Sequence, residues 1–442
     1  MRDHPLRQQL EQALTAARQP LAEATMLRVD ADDARLQLEH VLAHPDSGTL
    51  PLRGQRVAVK DLFDVAGQVT AAGSALLSQG LVPVKPAPRD ATVLTHLRQA
   101  GAVVVGRSNM SEFAYSGVGI NPHHGTPINP ADPQVHRVPG GSSSGAAVAV
   151  ALGIADIGLG TDTGGSLRIP AALCGLVGFK GTAGVVSRQG CFPLSTTLDT
   201  VGAITRTVAD AITAHRVMAQ QPTPLAAPRP RRLGIAARYF QEDMDDGVSL
   251  AWERALRTLA SAGHELVTLD LPELDEIHAL NARGTLSAAE SFALHRPWLQ
   301  THRDAYDPRV LARILGGEHT LAADYLDLVR ARTDWLQRTS AAIAGVDAML
   351  APTTPMVAPI LADIAPGQAR DEAFNRANMR LLRNPSAINL LDGCALSLPC
   401  QAPGELPVGL MVWQAAQLDA QVLSVAAELE AALQPVTQSA AP

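Results

Sequence analysis

Three short apolar runs narrow the fold more than any other feature of this chain. Arg56-Val-Ala-Val-Lys60 is a compact strand pattern, and Ala102-Val-Val-Val-Gly106 is a β-branched run bounded by glycine. Ile154 to Leu159 is a third buried run. Between and around them, residues 90 to 101 and Ala146 to Leu152 carry helical patterns. Strands alternating with helices predict an α/β sheet covered on both faces.

The pattern continues beyond Gln221 to Arg232, a Pro- and Ala-rich stretch that is the best linker candidate. Past it, Arg232 to Ala236 and Glu265 to Leu269 read as strands and 247 to 262 as a helix. Helices dominate 272 to 345, Val346 to Ala351 and Pro407 to Trp413 read as late strands, and 417 to 433 as a closing amphipathic helix. Residues 1 to 45 read as two short helices, with Leu6, Leu10 and Leu14 at helical spacing. The chain has 442 residues, enough for about two to three domains or one large one. The linker either divides two domains or crosses a single large sheet.

Charge and composition exclude some functions. A net charge of −7 argues against a nucleic-acid binder, which needs a basic face. The N-terminus is charged where a signal peptide needs an apolar core. The longest apolar stretch, Ala146 to Gly160, contains Asp156 and is too short to span a bilayer. The four cysteines show no CxxC spacing and fit free thiols in a reducing compartment. A cytoplasmic protein is the expectation. Of 36 basic residues only three are lysine: Lys60, Lys85 and Lys180. Lysine can lose its proton near neutral pH when buried, whereas arginine effectively cannot. A lysine retained in so arginine-rich a chain is therefore a candidate for proton transfer, although Lys85, in a Pro-rich stretch, reads as incidental.

Two loops rich in glycine and hydroxyls carry the chemistry: Gly140-Gly-Ser-Ser-Ser-Gly145 and Gly160-Thr-Asp-Thr-Gly-Gly-Ser166. Gly164 and Gly165 before Ser166 let several N–H groups point one way, as an oxyanion site requires. The second loop precedes a short segment that Pro170 should stop. Ser142 to Ser144 offer hydroxyls and Lys60 an amine, so a Ser–Lys arrangement can stand where other hydrolases use histidine. Each feature also has a plain reading: a flexible linker, an ordinary strand-to-helix turn, a surface lysine.

The longer stretches decide between these readings. Val57-Ala-Val-Lys-Asp-Leu-Phe-Asp64, Pro139 to Ala149, Gly158 to Gly175, Val177-Gly-Phe-Lys180, Pro193 to Asp199, Leu350-Ala-Pro-Thr-Thr-Pro355 and Leu406-Pro-Val-Gly-Leu410 together resemble the amidase signature family. The resemblance covers residues 51 to 215 and 346 to 432. It implies a single large domain, 1–442, with a mixed central β-sheet between helices. Within it, 1–50 would be N-terminal helices, 51–215 the signature core, 216–345 a variable, mainly helical substrate-side region, and 346–442 the strands and helix completing the core. It implies Ser166 as nucleophile, Ser142 (after a cis peptide bond) as relay, Lys60 as base, and the backbone N–H groups around Thr163, Gly164, Gly165 and Ser166 as oxyanion site. It implies neither metal nor cofactor, a small-molecule amide as partner, no nucleic acid and no membrane, and it leaves a homodimer open. The expected reaction is hydrolysis of a carboxylic amide through an acyl-enzyme. An amidotransferase-type subunit, or an enzyme acting on urea-derived amides, is the alternative within the family.

Departures from the family pattern are Lys180-Gly-Thr182 and the adjacent His123 and His124, for which no third ligand is spaced to bind a metal. Asp162 reads as a loop brace. Arg168 reads either as structural or as a carboxylate ligand. Two rivals are weaker. Gly141-Ser-Ser-Ser-Gly145 fits a nucleophile elbow at Ser143, but no strand precedes it and no late histidine follows. Gly158 to Gly164 is a near miss to a dinucleotide fingerprint.

Overall fold

Successive residues of the central strands turn to opposite layers of core, as a sheet covered on both faces requires. The computed structural model describes residues 5–282 and 284–433, so residues 1–4, Arg283 and 434–442 of the expected domain lie outside the described residues. Its strands are β1 (Met26–Val29), β2 (Arg56–Lys60), β3 (Val103–Ser108), β4 (Ile157–Asp162), β5 (Val177–Lys180), β6 (Thr200–Thr205), β7 (Arg232–Ala236), β8 (Glu265–Leu269), β9 (Ala348–Pro352), β10 (Cys394–Pro399) and β11 (Gly409–Gln414). They form one mixed sheet of 11 strands in the order β1-β3-β2-β4-β6-β5-β10-β11-β9-β7-β8. Val57, Val59, Leu396, Leu398, Leu410 and Val412 face one layer, which includes helices Thr92–Gln99, Val208–Ala219, Asp246–Ser261 and Asp419–Leu433. Their neighbours Ala58, Ala395, Met411 and Trp413 face the other, with helices Pro5–Ala16, Ala31–Ala43, Ser144–Ala151 and Asp371–Leu390.

Strands β1 to β6 make one side of the sheet and β7 to β11 the other, joined where β5 and β10 pair antiparallel through Phe179 and Leu396. The Gln221 to Arg232 segment thus links two halves of one sheet. It does not separate two domains. The sheet binds them through backbone hydrogen bonds and a shared core.

Strand β1 and the segment after Ser166 differ from the sequence reading. Strand β1 lies between the two expected N-terminal helices, pairing antiparallel with β3; at four residues it is too short to show a period. Pro170 does not stop its segment. It occupies the first turn of the helix Arg168–Cys174, where an amide N–H has no intrahelical partner to lose.

Helix Ser144–Ala151 is built almost wholly of small residues, and the reason is distance. A Cβ on Gly158 of β4 would stand 2.8 Å from the Ala146 carbonyl oxygen, and one on Gly145 would stand 2.3 Å from the Thr25 oxygen. The helix therefore lies close against the sheet, which sets the Ser142–Ser144 loop beside the ends of β2 and β4.

Candidate active site

Parallel strands β2 and β4 are neighbours, with Val59 opposite Leu159. β3 lies on the other side of β2, so the chain reverses its course across the sheet at this point. The crevice at the carboxyl ends of strands at such a switch point is where open α/β sheets bind ligands. Lys60 ends β2 and Asp162 ends β4.

The Gly141–Ser142 peptide bond is cis. Lys60 Nζ donates to Ser142 Oγ at 2.8 Å and to Thr161 Oγ1 at 3.0 Å. Both Lys60 and Ser142 are 0 % exposed. Burial drives the lysine pKa down to about 7, against the fields of Asp199 and Asp162, which act to raise it. Lys85, by contrast, is exposed, and the buried Lys180 spends its ammonium on the carbonyls of Gly181 and Gly393.

Ser166, Thr163 and Gly164 line a cavity of about 280 Å³. Among the described residues the Ser166 hydroxyl has no hydrogen-bond partner. The glycine turn before it is held from below by Asp162, whose carboxylate accepts the Gly165 N–H at 2.9 Å and the Leu167 N–H at 3.2 Å. The Gly165 N–H is committed to Asp162, and Gly165 does not line the cavity, whereas Thr163, Gly164 and Ser166 do and their N–H groups find no acceptor among the described residues. Gly165 is needed for another reason: its φ is +124°, and a Cβ there would lie 2.6 Å from Pro385 Cβ. Thr163 is fixed by its hydroxyl, which donates to Asp199 at 2.5 Å.

Arg168 is structural. It is fully buried and donates to Asp162 from two nitrogens at 2.9 and 3.0 Å, to the Pro385 carbonyl at 3.0 Å and to Asn389 Oδ1 at 2.6 Å. Burial alone would raise the Asp162 pKa, but the guanidinium outweighs it and holds the carboxyl well below the usual range. Arg168→Met is expected to destabilise the fold by about 3–5 kcal/mol, because it leaves a buried carboxylate uncompensated. Urea unfolding measures this. A midpoint within error of wild type would show that the pair does not hold the loop.

Ser143, the rival nucleophile, is fully buried, donates to the Thr161 carbonyl at 3.4 Å and does not line the cavity. His123 pairs with the buried Glu112 at 3.1 Å, and both His123 and His124 donate their backbone N–H to Asn121 Oδ1. Thr161, Asp199 and Asn389, each of which touches or braces the site, escape a reading of the sequence. Thr161 and Asp199 stand inside the motifs named above, but only contact geometry reveals what they hold.

Fold and site together define an α/β protein with a buried Lys60–Ser142 hydrogen bond and a cavity lined by Ser166. The amidase family pattern matches residues 10–423. The chain belongs to the amidase family and is a hydrolase of carbon–nitrogen amide bonds. It is 38 % identical over 391 residues to a 2-amino-5-chloromuconic acid deaminase of Comamonas testosteroni, covering 86 % of this chain and 82 % of that protein. It is 35 % identical over 415 residues to a subunit of the glutamyl-tRNA(Gln) amidotransferase of Akkermansia muciniphila, covering 84 % and 85 %. A crystal structure of an amidase superposes with a TM-score of 0.86 at 35 % identity, covering 98 % of this chain and 97 % of that one. Among the described residues no helix is long and apolar enough to cross a membrane.

Proposed function

We propose that the enzyme hydrolyses a small amide with Ser166 as nucleophile, Ser142 as proton relay and Lys60 as base. The observation that carries this is the amine of Lys60: shut from solvent, poised near neutrality and 2.8 Å from Ser142. The neutral amine accepts a proton from Ser142 as Ser142 takes one from Ser166, and the Ser166 oxygen attacks the carbonyl carbon. The contact between the two serines closes as substrate binds, since such bonds tighten in the reacting complex. The N–H groups of Thr163, Gly164 and Ser166 receive the oxyanion. The proton on Lys60 then returns through Ser142 to the leaving nitrogen, and the C–N bond breaks. Water adds to the Ser166 ester by the same relay in reverse and frees the carboxylate.

The likeness to part of an amidotransferase supports a second reading, in which the released ammonia is passed to a partner protein. The four free cysteines suit a reducing, cytoplasmic setting, and the chain acts alone or as a homodimer. A fluorophosphonate probe tests the core of the proposal. It is expected to label Ser166 and no other serine, read by peptide mass spectrometry, with labelling slowed by a hydrolysable amide. Labelling at Ser143 would overturn the assignment. Ammonia release that needs an added partner would favour the second reading.

A further inference from the structure

The loop 193–199 holds Thr163 in place, and it is itself held from the region beyond the linker. Asp199 Oδ1 accepts the Thr163 hydroxyl at 2.5 Å, and its Oδ2 accepts the Leu194 N–H at 2.9 Å. The Asp199 N–H donates to the Ser195 carbonyl at 3.1 Å, and Ser195 Oγ accepts the Leu198 N–H at 3.1 Å. The loop is thus tied into a knot that presents one carboxylate oxygen to Thr163. A second carboxylate, Glu290 of the helix Leu286–Leu299, grips this knot. Its Oε2 accepts the Ser195 hydroxyl at 2.5 Å and the Thr197 N–H at 3.0 Å. Its Oε1 accepts the Thr197 hydroxyl and, at 2.7 Å, the hydroxyl of Tyr325 from the helix Ala322–Ile343. Burial would raise the Glu290 pKa, but the bonds from Ser195 and Thr197 outweigh it and hold the carboxyl below its ordinary value.

An ionised carboxylate offers about four acceptor positions, and here four donors fill them. Bonds to a charged acceptor are about twice as strong as neutral ones. Three of the four donors belong to the loop, so Glu290 fixes where Thr197 lies, and Asp199 follows two residues on. The same helix begins at the cavity, where Leu286 and Ser287 form part of the wall, whereas Glu290 does not line it. Resting on the reading of the Thr163 N–H as an oxyanion donor, we propose that Glu290 is a positioning residue for the reaction: acting through the loop 193–199 and Asp199, it aims that N–H at the developing oxyanion. A different role would show differently. Leu194 and Leu198 of the loop also line the cavity, so a clamp that only shaped the wall would act on KM. An oxyanion donor is used in the transition state, so a clamp that aims it acts on kcat.

The test is the kinetics of Glu290→Gln, which keeps the shape of the side chain and removes its charge. On the fastest wild-type substrate among short aliphatic and aryl amides, kcat is expected to fall about thirtyfold with KM within about threefold, since a misplacement of about 1 Å can cost about a hundredfold. The rate at which a fluorophosphonate labels Ser166 should fall alongside, because its P=O oxygen occupies the oxyanion position. Thr163→Val supplies the second arm: it removes the hydroxyl that Asp199 grips and keeps the N–H. In that background Glu290→Gln is expected to lower kcat by no more than about twofold, since the two changes break the same chain of contacts. A loss in KM alone, or losses that multiply across the two variants, would show that Glu290 only shapes the wall and would overturn the inference. So would a wild-type kcat in Glu290→Gln. Turnover by Ser166→Ala would instead overturn the mechanism on which the inference rests. If Glu290→Gln does not fold, Thr197→Val decides. It removes a donor from the loop side, and kcat should fall about fivefold at constant KM, the scale of one hydrogen bond; an unchanged kcat would overturn the inference.

Discussion

Lys60→Arg is expected to destroy amide turnover as completely as Lys60→Ala, with kcat falling by a factor on the order of 10⁴ to 10⁶. The charge is preserved in the arginine variant, but the lone pair is not. The site asks for a group that can be neutral at working pH, and burial supplies it by bringing the lysine pKa to about 7. The sign of the pH dependence follows. Below about 7 the amine holds its proton and cannot accept one from Ser142, so activity rises with pH and levels off above that value. A pH–rate profile for kcat reads the limb directly, and it should vanish in the arginine variant's residual activity. Lys85→Arg, at an exposed position, should change nothing measurable. Substantial turnover by Lys60→Arg would mean that the residue supplies only positive charge, and that another group is the base.

Ser166→Ala should remove activity on the same scale, on the order of 10⁴ to 10⁶ in kcat, with the fold left intact. The hydroxyl has no partner among the described residues, so its loss strands no donor or acceptor. Stability should therefore move by no more than about 1 kcal/mol. Ammonia release and urea unfolding measure the two effects side by side. A variant that is inactive because it has unfolded would show that the serine supports the loop and would leave its chemical role unproved. A variant that stays folded and turns over amide would remove Ser166 from the mechanism.

Much of this arrangement is legible in the chain, for reasons that differ by region. β2, β7 and β8 match their expected bounds because short runs between glycines, charges and prolines leave few other options. The loops of Ser142 and Ser166 are legible because so much of each is glycine and hydroxyl. The helix Asp371–Leu390 is not. Its buried stripe passes through Phe374, Ala377, Asn378, Leu381, Asn384 and Ile388, and two of those six are asparagines, which read as loop. Their amides are spent on neighbouring backbone: Asn378 accepts the Gly117 N–H at 2.8 Å, and Asn384 donates to the carbonyls of Phe240 and Pro352. The strands β5, β6 and β10 also escape notice in the sequence. They are buried on both faces, so no two-residue alternation marks them. The Gly165 contact has a simpler origin: a Gly-Gly turn predicts that amides converge, not that one of them donates to Asp162.

The seam between β5 and β10 bears on how the cavity is built. Lys60, Ser142 and Ser166 all come from the first six strands and their loops, whereas Asn281, Arg313 and Leu382 of the cavity wall come from the stretch beyond residue 221. The stretch 272–345 is tied to the signature core by hydrogen bonds: Glu290 accepts from Ser195 Oγ and from the Thr197 N–H, and Glu112 accepts the Asp307 N–H. The cavity above Ser166 is thus walled from both lengths of the chain, Ala114, Thr163 and Gly164 from the first and Asn281, Leu382 and Ser386 from the second.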